Sequence, residues 1–134
     1  ASRYPDKFSL NLKYDGALAQ RIYASTDMFL MPSLFEPCGL SQMMALRYGS
    51  VPIVRETGGL KDSVVPFNEY ENTGTGFSFA NYNAHEMLDT IDYALHVYYD
   101  MKDEWHDLVV RGMQENLDWD HSSEQYIRVF SSLL

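Results

Sequence analysis

The sequence predicts an α/β fold in which a parallel sheet is flanked by helices, and three observations carry that prediction. Asp27-Met28-Phe29-Leu30-Met31 and Val51-Pro52-Ile53-Val54 are short apolar runs of the kind that form buried parallel strands. Ser41-Gln42-Met43-Met44-Ala45-Leu46-Arg47-Tyr48, between them, has helical composition. Where the first strand hands over to that helix, the run Pro32-Ser33-Leu34-Phe35-Glu36-Pro37-Cys38-Gly39-Leu40-Ser41 places one carboxylate and one glycine. In α/β proteins that handover is where anions bind, because first-turn N–H groups and the positive end of the helix dipole face the crevice at the strand's carboxyl end.

Taken in order, Phe8-Ser9-Leu10-Asn11-Leu12 alternates like a strand. Asp15 caps a helix through Ala17, Leu18, Ile22 and Tyr23 to about Ser25. The strand Met28 to Met31, the helix from Leu40 and the strand Val51 to Val54 follow, so strand and helix alternate. Thr57-Gly58-Gly59-Leu60 then reads as a glycine turn. Pro66 to Gly76 is polar and turn-rich and reads as a surface loop, and Phe77-Ser78-Phe79 as a short last strand. Asn83 with Glu86 has the form of a capping box opening a helix with Met87, Leu88, Ile91, Ala94, Leu95 and Tyr98 at three- and four-residue steps. A second helix holds Trp105, Leu108, Val109 and Met113, and a third, from near Ser122, carries Tyr126, Ile127, Val129 and Phe130. Residues 1–134 thus read as one domain, with an α/β part over 1–80 and a helical tail over 81–134 expected to be a packing layer.

Composition sets independent bounds. The 134 residues are 46% hydrophobic and 14% aromatic, enough for a packed core. No apolar run reaches the ~20 residues needed to span a bilayer, and Ala1-Ser2-Arg3-Tyr4-Pro5-Asp6 lacks the basic-then-apolar pattern of a signal peptide. Cys38 is the one cysteine, which excludes an internal disulfide and fits a reducing cytoplasm. A net charge of −9 argues against nucleic acid or an anionic membrane as the main partner. The same charge limits what the handover can hold unaided: Arg47, Arg55 and Lys61 are the few cations near it.

Read alone, Glu36 is either a solvated loop carboxylate or a group that accepts hydrogen bonds from a ligand and faces developing positive charge. Cys38 sits where a helix start can activate a thiol, yet no histidine lies nearby in sequence to act as its base. Tyr14 is equally a packing residue or a stacking platform. Asp118-Trp119-Asp120 has the DxD form of some metal sites but sits among tail helices and reads as a cap. His96 and Asp100 pair four apart with no third ligand, and Met28, Met31, Met43 and Met44 read as core fillers, so no metal or cofactor is implied.

The stretch PSLFEPCGLSQMMALRYGSVPIVRETGGLKDSV resembles the signature of bacterial glycogen synthases and plant starch synthases. The likeness extends from Tyr14-Asp15-Gly16-Ala17-Leu18-Ala19 through Gly76-Phe77-Ser78-Phe79 to Leu117-Asp118-Trp119, nearly the whole chain. The resemblance implies the later part of the C-terminal, Rossmann-like domain of a GT-B glycosyltransferase. It implies a retaining enzyme that transfers glucose from ADP-glucose to the non-reducing end of an α-1,4-glucan in the cytoplasm. By resemblance Glu36 is the catalytic carboxylate against the donor glucose, and Cys38 and Gly39 offer backbone N–H groups to that sugar, the thiol taking no covalent part. Leu40 and Ser41 hold the distal phosphate, Ser41 standing where the family often has threonine. Tyr14 packs on the adenine, and Thr57, Gly58 and Gly59 form a second glycine loop beside the phosphates and acceptor. Arg55 reads as a salt-bridge residue at the sheet's edge.

A second glutamate eight residues after the first is common among other retaining GT-B transferases; here that position is Met44, which keeps the synthase reading. The family's phosphate-binding arginine and lysine belong to an earlier part of the domain, so the resemblance makes residues 1–134 a partial domain, a fragment inactive alone. A complete domain has about six strands in the order 3-2-1-4-5-6. The four expected here correspond to the third to sixth, leaving strand Phe8 to Leu12 either to pair directly with Met28 to Met31 or to leave an edge for a second copy. Two other functions remain open: a transferase using UDP-glucose or another nucleotide sugar, and a non-catalytic nucleotide-binding module.

Overall fold

The computed structural model describes residues 3–133, the side chain of His121 excepted. Ala1 and Ser2, at the start of the segment inspected for a leader, and Leu134 lie outside the described residues. The chain runs α1 (Gly16–Ser25), β1 (Met28–Met31), α2 (Ser41–Arg47), β2 (Val51–Arg55), α3 (Gly58–Ser63), β3 (Phe77–Phe79), α4 (Ala84–Asp100), α5 (Lys102–Gln114) and α6 (Trp119–Ser131). The sheet is parallel in the order β1-β2-β3, with Met28 opposite Val51 and Ile53 opposite Phe77.

β2 is the central strand, and its alternation divides the core. Val51 and Ile53 face one side, where Phe67, Phe77, Ala94, Val97, Trp105 and Leu108 close over them from the 66–76 loop, β3, α4 and α5. Val54 faces the other with Leu60 and Val64, so a β2 side chain meets α3 there. Pro52 is tolerated in this strand because the Val51 N–H already bonds Asp27 O (2.9 Å), which turns the next position toward β3. Pairing with β3 starts only at Ile53, so the donor proline lacks is not needed.

Helix ends follow local chemistry. The Asp15 side chain accepts from Leu18 N at 3.0 Å, as its position before α1 predicts. Asp118 Oδ1 accepts from Asp120 N at 3.0 Å at the start of α6. The capping box at α4 does not form as expected. Asn83 Oδ1 accepts from His85 N (2.8 Å), and Glu86 turns away to accept from the side chain (2.6 Å) and backbone (2.9 Å) of Asn81. Those bonds, the Asn81 side chain's first, hold the Glu86 carboxyl below its usual value.

Other expectations fail for physical reasons. Phe8 to Leu12 is not a strand and does not pair with β1; Phe8, Leu10 and Leu12 are exposed. Alternation makes a strand only where a neighbour supplies the hydrogen-bond ladder, and among the described residues none does. The sheet therefore has three strands, not four, and β1, at its edge, is only half-buried. Thr57 to Leu60 is the N-cap and first turn of α3 rather than a simple turn. Pro66 to Gly76 is a surface loop only at its tip. Phe67 is buried against Phe77 (ring centroids 5.9 Å), and Arg111 Nε donates to Gly74 O (2.9 Å), tying the loop to α5. α6 starts at Trp119, earlier than Ser122, and is not a packing layer: Tyr126, Ile127, Val129 and Phe130 stay exposed.

Leu108 is fully buried beneath the sheet, whereas Tyr70 on the loop tip is 92% exposed. Leu108→Ala is expected to cost about 2–5 kcal/mol of unfolding free energy, and Tyr70→Ala less than about 0.5 kcal/mol. Urea denaturation of both variants checks this; equal losses would mean that the core lies elsewhere.

Candidate functional site

The handover after β1 and the start of α3 meet backbone to backbone. A Cβ on Gly58 would lie 2.0 Å from the carbonyl oxygen of Glu36, and one on Gly59 would lie 1.7 Å from that of Cys38. No side chain fits either space, and Gly58 also has φ +45°, a conformation that favours glycine. The Gly59 N–H donates to Pro37 O at 3.2 Å across the same contact. The two glycine motifs singled out in the sequence, Glu36-Pro37-Cys38-Gly39 and Thr57-Gly58-Gly59, are thus one junction at the carboxyl ends of β1 and β2.

Arg55 sets the height of the first motif. Its Nε donates to Ser33 O (2.7 Å), one terminal nitrogen to Leu34 O (2.6 Å) and the other to Ala80 O (3.5 Å). The salt bridge expected of Arg55 is absent among the described residues; the guanidinium instead anchors the turn leading into Glu36 through carbonyls. Sequence reading missed this because those acceptors belong to backbone and leave no residue signature. The other cations are occupied too: Arg47 donates to Met113 O (3.1 Å) and Lys61 pairs with Glu56 (3.7 Å).

Around the junction the polar side chains are unspent. The carboxylate of half-buried Glu36, the exposed thiol of Cys38, and the half-buried hydroxyls of Ser41 and Thr57 have no hydrogen-bond or ion-pair partner among the described residues. Leu40 and Thr57, the N-caps of α2 and α3, supply no side-chain cap; the first-turn N–H groups of α2 lack the usual internal acceptor, whereas in α3 the Gly59 and Leu60 N–H groups already bond Pro37 O and Thr57 O. Gly39, at φ +69°, turns the chain between Cys38 and the start of α2. This arrangement can accept hydrogen bonds from hydroxyls through Glu36 and donate them to an anion through Ser41 and backbone N–H groups. Tyr14 is not brought into it: the side chain is 96% exposed, beside Gly16 ahead of α1. The strand expected just before it, Phe8 to Leu12, does not form. A groove of about 590 Å³ between α2 and residues 112–118 shares only Leu40 with the motif.

Gln42 and Ser63 are the residues that sequence reading passed over. Gln42 is fully buried on the inner face of α2 with Ala45 and Leu46, and its Nε2 donates to Gly39 O (2.8 Å) and Ser63 Oγ (2.9 Å). An amide on a helix face otherwise apolar was the available signal.

Residues 10–107 match the family described as glycosyl transferases group 1. The chain belongs to that family. Within the group 1 transferases it is 60% identical over 131 residues to a glycogen synthase of Lachnospira eligens and 58% identical over 134 residues to one of Clostridium novyi. These alignments cover 98% and 100% of the chain but 27% and 28% of those relatives, so the chain spans about a quarter of their length. The solved catalytic domain of starch synthase IV from Arabidopsis thaliana, bound to ADP and acarbose, superposes with a TM-score of 0.86 at 38% identity. It covers 97% of this chain and 27% of its own. The fold is accordingly part of the C-terminal domain of a GT-B glycosyltransferase, as the sequence predicts. Among the described residues no helix is long and apolar enough to cross a membrane.

The junction makes a specific demand. Gly59→Ala is expected to destabilise by about 1–3 kcal/mol or more, because Cys38 O is backbone and cannot yield. Gly16→Ala, whose Cβ would meet only the Tyr14 hydroxyl at 3.6 Å, should be neutral or slightly stabilising. Thermal melts of the two variants decide it; a harmless Gly59→Ala would show that the two loops are not in contact.

Proposed function

We propose that this chain is the later part of the donor-binding domain of a glycogen synthase, which transfers glucose from ADP-glucose to the non-reducing end of an α-1,4-glucan with retention of configuration. The observation that carries the reading is the glycine junction, flanked by an unpaired carboxylate, two free hydroxyls and the uncapped start of α2. The likeness to enzymes named glycogen synthase and to a starch synthase bound to ADP and acarbose supports the choice of donor and acceptor.

In this reading Glu36 is the catalytic carboxylate, accepting hydrogen bonds from the donor glucose and facing the positive charge that develops at its anomeric carbon. The backbone at Cys38 and Gly39 lines the sugar, and Leu40 and Ser41 hold the distal phosphate. Thr57, Gly58 and Gly59 lie beside the phosphates and acceptor, and Tyr14 packs on the adenine once the rest of the protein covers it. The leaving diphosphate assists the incoming glucan hydroxyl, so the reaction needs neither metal nor organic cofactor. Arg47, Arg55 and Lys61 are all engaged within the fold, and further cations must neutralise the diphosphate. Residues 1–80 and 81–134 are then the α/β part and helical tail of one partial domain, and the protein works in the cytoplasm, where its single thiol stays reduced.

Full-length protein is expected to transfer glucose from ADP-glucose to glycogen much faster than from UDP-glucose, and Glu36→Ala to lower turnover about 10²–10³-fold. The 134-residue chain alone should show none of this activity. Radiolabelled transfer assays with both donors test the reading. Preference for UDP-glucose moves the chain to another transferase, and turnover indifferent to Glu36→Ala removes the catalytic role.

The outer edge of β1 has no strand partner among the described residues. We propose that the isolated chain self-associates through it; light scattering showing a monodisperse monomer at high concentration would refute this.

A further inference from the structure

We propose that Gln42 is a positioning residue for the donor site: its buried amide, acting through Ser63, holds the Gly39 turn and the Gly59 loop at one fixed separation. The inference rests on the donor-site reading of the junction and deepens it.

Three hydrogen bonds run in series from one glycine loop to the other. Gln42 Nε2 donates to Gly39 O at 2.8 Å and to Ser63 Oγ at 2.9 Å, and Ser63 Oγ donates to Gly59 O at 2.6 Å. The direction of the series is forced. Ser63 has one proton, which Gly59 O takes, so its oxygen can only accept from Gln42, and only an amide NH2 can donate there. Turning the amide over would set Oε1 against the Gly39 carbonyl, acceptor on acceptor.

The consequence is visible at the other amide atom: Gln42 Oε1 is buried with no partner among the described residues. A buried acceptor left unpaired costs stability, so an apolar side chain of the same size would serve packing alone better. What the amide supplies that no apolar side chain can is the donor pair. The same group also fills the space above Gly39, where a Cβ would lie 2.6 Å from Oε1. Gly39 and Gln42 therefore interlock.

The strut and the glycine contact oppose each other. Gly58 and Gly59 against the Glu36 and Cys38 carbonyls set how closely the loops can approach, and the Gln42-Ser63 series sets how far they can separate. Both loops carry groups assigned to the donor, Gly39, Leu40 and Ser41 on one and Thr57 to Gly59 on the other. Small errors in such spacing weaken binding of whatever spans both loops.

The experiment uses full-length protein carrying Gln42→Met, Ser63→Ala or both. Amide exchange in segments 37–40 and 57–60, calorimetric ADP binding, and KM for ADP-glucose and for glycogen are measured. Faster exchange confined to those segments is expected, with ADP Kd and donor KM raised together about 10-fold in Gln42→Met. Ser63→Ala should show a smaller rise, and in both variants the glycogen KM should change less than the donor KM. The double variant should be no worse than Gln42→Met, since both act through one series. A lowered melting temperature with ADP Kd and donor KM unchanged would overturn the proposal, leaving Gln42 a packing residue. Ser63→Ala, a small truncation at a half-buried site, decides the matter if Gln42→Met fails to fold. Wild-type protein that binds no ADP and uses no ADP-glucose would sink the donor reading instead, and unaltered exchange in the variants would then overturn the strut by itself.

Discussion

The close backbone approach of Gly58 and Gly59 to the carbonyls of Glu36 and Cys38 is the constraint on which the rest of the candidate site depends. It brings together two segments that the sequence separates by about twenty residues. It also brings the starts of α2 and α3 close together at the carboxyl edge of the sheet. Any side chain at either glycine would separate them, and the polar groups gathered there would no longer address one ligand. Glycine is required here by approach distance more than by backbone freedom, since Gly59 has no positive φ.

That contact is held in place from two sides. Arg55, at the end of β2, uses its planar fork to bind carbonyls of Ser33 and Leu34 and so fixes the turn before Glu36. Gln42, on α2, fixes the turn after it. Both commit strong donors to backbone carbonyls. The charge pattern follows: with Arg47, Arg55 and Lys61 all engaged within the fold of a chain of net charge −9, the donors left at the junction are hydroxyls and N–H groups.

The exposed apolar residues fit the same picture. Tyr126, Ile127 and Phe130 on α6 keep helical spacing without a layer to bury it. Phe8, Leu10 and Leu12 alternate without a ladder. In each case the local pattern is intact and the partner is missing from the described residues. Periodicity reports which face a segment would bury and is silent on whether anything is present to cover it.

The order of the elements was legible because it depends on local chemistry. Apolar four-residue runs, an aspartate before a helix and three- and four-residue steps in α4 and α5 each act within a few residues, and each appears where the sequence places it. The motif around Glu36 was legible for the same reason, since residue type and spacing carry it. The start of α3, the buried base of the 66–76 loop, the carbonyl anchoring by Arg55 and the Gln42-Ser63 strut were not. Each depends on an acceptor or a packing partner brought from elsewhere in the chain, often a backbone carbonyl that every residue possesses and no sequence distinguishes. The sequence by itself determined the α/β class and the short motifs around Glu36 and Gly58. Only the tertiary structure decided that the two glycine motifs form one site, because their junction is a contact between backbones.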